Sequence, residues 1–163
     1  GPARTNAFLV EVEARMRGRL QETSVLPERL SVEHVMPRSW KEHWPLADGT
    51  EATRDDFLRA IFEITEDESA VGQIVRRDRL KHSVGNLTLV TTSFNSKVSN
   101  KGFETKRVQF ADQSILMLNK DIARESNWDE GRIEGRSERI SELAKEIWPV
   151  PVVVETANQV PRS

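Results

Sequence analysis

No cysteine occurs among the 163 residues. That absence excludes disulfides, thiol nucleophiles and every cysteine-ligated zinc site, and it fits a reducing compartment. Long apolar runs are missing as well. None approaches the roughly 18 residues of a membrane-spanning helix, and the chain opens without the charged, apolar and small-residue regions of a signal peptide. No glycine-rich phosphate loop is present, so nucleotide hydrolysis has no seat here. There is no internal repeat and no low-complexity block. Nor is there a large excess of one charge: 24 Lys and Arg against 26 Asp and Glu leave a formal −2, so any nucleic-acid surface must be local. What remains is 37% hydrophobic and 31% charged in 18.6 kDa, which suits one compact domain. Gly1-Pro2 has the look of a scar left by tag removal, and a helical pattern follows directly without an initiator Met. The expectation is a domain excised from a longer protein.

The apolar periodicity divides the chain. Phe8, Val12, Met16 and Leu20 recur every four residues and predict a first helix, with the N-terminal element placed at 1–22. Leu30 to Met36 is short, apolar-rich and closed by Pro37, as a strand would be. Residues 38–52 read as loop. Thr53 is placed to cap a helix whose buried stripe is Phe57, Leu58, Ile61 and Phe62. An arginine-rich helix is expected from Ala70 to Lys81, then a turn at Val84-Gly85-Asn86 and a β-branched second strand from Leu87 to Thr92. Phe94 to Lys101 reads as helix with Gly102 as its stop. Residues 103–126 read as mostly helical, with Asn119 in a turn. Ile133, Ile140, Leu143 and Ile147 share one face of a last helix that Pro149 ends. The core thus spans 23–149, and 150–163 reads as a flexible tail.

Charge is uneven. Residues 41–75 carry three basic against nine acidic side chains, and residues 76–107 carry eight basic against two acidic. Such runs are most often solvated faces. The basic run also holds the most unusual residues, which favours a phosphate-binding surface there.

Three pieces carry chemistry: Glu33-His34 near the end of the first strand, Gly85-Asn86 leading into the second, and Asn95 nine residues later near the start of a helix. Strand, strand, helix with acid-His, Asn and Asn resembles the HNH endonuclease domain at the C-terminus of GmrSD-type restriction proteins, Ssp-type relatives included. The matching stretches are SVEHVMPRSW at 31–40, RLKHSVGNLTLVTTSFNSKVSNKGFETKR at 79–107 and NWDEGRIEGRSERISELAKEIWP at 127–149. The resemblance implies an α+β, mostly helical fold with a ββα-metal core and surrounding helices. It also implies a metal-dependent endonuclease that nicks or cuts duplex DNA in defence against phage or foreign DNA, acting in the bacterial cytoplasm. In the full-length protein it implies an N-terminal ParB-like nucleotide-hydrolysing domain.

Roles follow residue by residue. His34 is the expected general base, because a neutral imidazole near pH 7 can take a proton from water. Glu33 and the side-chain carbonyl of Asn95, rather than Asn100, would hold one divalent cation. Oxygen ligands favour Mg²⁺ or Mn²⁺. Asn86 is expected to bond backbone across the loop and fix the histidine, as its equivalent does in relatives. Lys97, Lys101, Lys106 and Arg107 are candidate DNA phosphate contacts. His43 and His82 read as structural, and Trp128 and Trp148 as core. Neighbouring residues on a regular strand point to opposite faces, so Glu33 and His34 converge only if the strand bends or ends there. His34 and Asn86 stand farther apart than in compact relatives, because a helical insertion near 53–66 lies between them. The rival expectation is a non-catalytic DNA- or partner-binding domain on the same scaffold, and a weaker one is an RNase.

Overall fold

The computed structural model describes residues 1–18, 26, 29–64, 67–91 and 101–149. Among them the fold is α+β and mostly helical, with six α-helices around one two-stranded sheet. The helices are α1 (Pro2–Arg17), α2 (Arg54–Ala60), α3 (Ala70–Leu80), α4 (Phe103–Gln113), α5 (Met117–Ala123) and α6 (Glu130–Ile147). The strands are β1 (Leu30–His34) and β2 (Leu87–Thr91). They run antiparallel, with Leu30 opposite Thr91 and His34 opposite Leu87. No described helix is long and apolar enough to cross a membrane.

Period-two alternation splits the sheet between two cores. Leu30, Val32, Leu87 and Leu89 join Leu9 and Val12 of α1 and Ile140 of α6. Val90 belongs to the other cluster, with Val35, Met36, Trp40, Trp44, Ile74, Phe110, Ile122, Trp128 and Ile133. Fully burying each such large apolar side chain stabilises the fold by about 1.5–3 kcal/mol, so both sheet faces are anchored.

The helix starts follow their caps. Thr53 and Asp56 form a reciprocal capping box at α2. Ser69 and Asp129 accept from the backbone N–H groups of Gly72 and Arg132 at the starts of α3 and α6. Helix α5 has no such cap of its own. Instead the buried carboxylate of Glu13, on α1, accepts from the N–H groups of Met117 and Leu118 at 2.9 Å each. An anion is stabilised at that helix end.

Several expectations are corrected. Helix α2 stops at Ala60, and the stripe assigned to it is exposed beyond Phe57: Leu58, Ile61 and Phe62 are 49%, 71% and 84% accessible. A seven-residue helix offers one short face, and Phe57 takes it by packing on Trp40 at 5.6 Å between ring centroids. Gly102 is the N-cap of α4, whatever precedes it. Asn119 sits inside α5 and is buried, bonding Thr88 Oγ1 and the Leu89 carbonyl of β2. Trp128 is core as expected. Trp148 is about half exposed and stacks on Phe8. Residues 92–100, which hold all but Lys101 of the expected helix over 94–101, and the tail at 150–163 lie outside the described residues.

Candidate active site

Strand β1 ends at His34, two residues short of the expected end at Met36, and the ladder stays regular to its last pair. Glu33 and His34 therefore leave the strand on opposite faces. On one face the Glu33 carboxylate accepts from Lys106 Nζ at 2.9 Å, and the same ammonium donates to the His34 carbonyl at 2.7 Å. Lys106 is fully buried. Burial pushes its pKa down, and the Glu33 charge pulls it back up. This corrects the expectation that Lys106 contacts DNA, because no phosphate can reach it. A signal for the inward position was present: Phe103, Lys106 and Phe110 stand at i, i+3 and i+7 on one helix face.

On the other face the His34 ring lines a cavity of about 320 Å³ with Thr5, Val32, Arg38, His82 and Leu87. His34 Nε2 lies 3.2 Å from His82 Nδ1, with the rings edge to face at 82°. The pKa of His34 is lowered to about 4, first by burial and then by electrostatic interaction with Arg38, His82, Lys106 and Lys81. The ring is consequently neutral at pH 7 and keeps a lone pair for a proton.

Asn86 ties the two histidine-bearing segments together. Its Oδ1 accepts from the Met36 N–H at 2.8 Å and from Trp128 Nε1 at 3.1 Å. Its Nδ2 donates to the carbonyls of Met36 and Lys81, both at 2.9 Å. Each polar position of this fully buried amide is used on those four contacts. Met36 follows His34 by two residues and Lys81 precedes His82 by one, so Asn86 holds both loops. The turn is braced from α6 as well. Arg136 Nη1 donates to the Gly85 and Leu87 carbonyls at 2.7 and 2.8 Å. Gly85 lets α6 come close, since a Cβ there would stand 1.9 Å from the Ile133 carbonyl.

Most of the basic run is neutralised. Arg76 and Arg79 pair with Glu134, Arg77 with Glu130, Lys81 with Asp78 and Arg107 with Glu104. Arg77 also donates to the Trp44 and Pro45 carbonyls, which makes it an internal brace. Lys101 is exposed and has no carboxylate partner among the described residues, and the same holds for Arg38 beside the histidines. Lys97 and Asn95 lie outside the described residues. A second cavity of about 430 Å³ runs between Trp44, Phe103 and Trp128. It contains none of the motif residues, and Glu104, Asp129 and Glu130 on its wall disfavour a phosphate.

A family model for the C-terminal domain of GmrSD restriction endonucleases matches residues 4–143. The chain belongs to that family. The match runs from α1 into α6, so the histidine cavity, the Asn86 turn and the Glu33–Lys106 pair all fall inside the GmrSD C-terminal domain. No curated protein and no solved structure matches the chain.

Among the described residues no group of three or more His, Asp or Glu side chains converges on one point. Lys106 occupies Oε1 of Glu33, and no described group bonds Oε2. Glu33 lies on the sheet face opposite the His34 cavity, so the described side chains alone do not assemble a cation site beside His34.

Proposed function

We propose that this GmrSD C-terminal domain is an HNH-type, ββα-metal DNA endonuclease in which His34 activates the attacking water. The observation that supports the reading most directly is His34 itself: a neutral imidazole at the end of β1, open to a cavity, with its loop fixed by Asn86. Water loses a proton to His34 as it attacks phosphorus, and the bond to the 3′ oxygen breaks. General-base assistance of this kind contributes about 10²- to 10⁴-fold. Glu33 and Asn95 are the proposed ligands of a divalent cation, Mg²⁺ or Mn²⁺, which requires the end of β1 to turn so that the Glu33 carboxylate meets the His34 side. When bound, the cation supplies charge relief on the phosphate and at the leaving oxygen. Asn86 acts as a positioning residue. Lys97, Lys101 and Arg107 would meet backbone phosphates of duplex DNA, with Arg38 added to that set by its place on the cavity wall. Defence against phage or modified foreign DNA, a bacterial cytoplasmic setting and a nucleotide-hydrolysing ParB-like domain elsewhere in the full-length protein complete the reading.

Supercoiled plasmid tests it. Incubation with Mg²⁺ or Mn²⁺ should convert the plasmid to open circles or linear DNA, EDTA should stop the conversion, and Asn95→Ala should weaken it with partial rescue at higher metal. Binding without cleavage under every metal, in the chain and in the full-length protein alike, would favour the rival reading of a DNA- or partner-binding module.

A further inference from the structure

His82 is the one titratable side chain within hydrogen-bond reach of the His34 ring among the described residues, and its role is not assigned by the nuclease reading. Two neutral imidazole nitrogens 3.2 Å apart are held by one proton between them: one ring donates and the other accepts. If His82 donated to His34 Nε2, the His34 proton would sit on Nδ1 and its only lone pair would be spent on His82. If His34 donates, its Nδ1 lone pair is left over. The surroundings favour the second arrangement. His82 is exposed, so its own Nε2–H can donate to water, whereas His34 is half-buried and has no other partner for Nε2 among the described residues. Both rings are held in register by Asn86, which binds Met36 on the His34 side and Lys81 on the His82 side.

We infer that His82 is a positioning residue that fixes the tautomer of His34, accepting a hydrogen bond from His34 Nε2–H so that the Nδ1 lone pair faces the attacking water. This rests on the reading of His34 as the general base. It also assigns which ring nitrogen takes the proton.

The test has two readouts. Long-range ¹H–¹⁵N correlation spectra of the 163-residue chain with ¹⁵N-labelled histidine, at pH 7.5, should show His34 protonated at Nε2 and bare at Nδ1. In His82→Ala that preference should collapse toward a mixture. In plasmid nicking, His82→Ala should lower kcat about 10- to 100-fold with KM for DNA within about twofold. That loss lies at or below the general-base contribution itself. His82→Asn, whose side-chain carbonyl can accept the same bond, should recover much of it. A His34 proton found on Nδ1 would overturn the inference. So would an unchanged His34 tautomer in His82→Ala, or a rise in KM at constant kcat. The spectra do not depend on turnover. A chain that shows the Nε2–H tautomer but is equally active as His34→Ala would refute the base reading and leave the hydrogen bond standing.

Discussion

The two faces of β1 treat adjacent residues in opposite ways. Glu33 enters a closed face, where a fully buried ammonium from α4 meets its carboxylate and also grips the His34 carbonyl. His34 enters an open face, where its ring meets a second histidine, an arginine with no carboxylate partner among the described residues, and a cavity. One face holds a charge by pairing it, and the other lowers the pKa of a ring, first by burial and then by nearby charge. The contrast separates two jobs that sequence adjacency had merged. The closed side pairs Lys106 with the end of the strand, and the open side presents the ring proposed as proton acceptor. Lys106 joins them by contacting both.

Removing Lys106 attacks the closed face and should have the largest effect. Lys106→Met leaves the Glu33 carboxylate without its partner, and breaking a buried pair this way costs about 3–5 kcal/mol. Urea unfolding would read the loss, and the double variant with Glu33→Gln should recover a good part of it. Asn86→Ala strikes the lacing between the faces. It strands the Met36 N–H and Trp128 Nε1–H, at about 1–3 kcal/mol for each unsatisfied group, and should lower nicking along with stability. Gly85→Ala is smaller. Its methyl must push α6 off the turn, an overpacking cost of about 1–3 kcal/mol, measurable as a fall in Tm. The mildest probe is pH. His34 titrates at about 4 in the folded chain and near 6.5 when unfolded. Between those values the unfolded state binds the extra proton. Stability attributable to His34 is therefore complete above about pH 6.5, declines as pH falls toward 4, and levels off below. Its ring resonances should titrate near 4, and His34→Asn should flatten that part of the stability profile.

Much of this was legible from the chain. The strand closing before Pro37, the Thr53 cap, the Asn86 turn and the α6 stripe ending at Pro149 are local signals, and local chemistry decided them. The ordered Glu-His, Asn and Asn motif pointed to the family, and the match over 4–143 shows that family. What could not be read depended on partners far away in sequence. Lys106 looked like a surface cation because its carboxylate lies 73 residues upstream. The basic run looked like a phosphate surface because Glu130 and Glu134, which neutralise three of its arginines, belong to the last helix. Asn119 looked like a turn because nothing local shows that Thr88 and Leu89 need it. The exposed Ile61 and Phe62 failed for a different reason: periodicity identifies a face and says nothing about whether anything covers it.

The most direct test of the account is the rate of plasmid nicking at saturating DNA, with Mg²⁺ at pH 7.5, in the natural chain and in His34→Ala. The account predicts a drop of about 10²- to 10⁴-fold with DNA affinity retained. Equal rates in the two proteins would contradict it, because the open face of β1 would then hold no proton acceptor for the reaction.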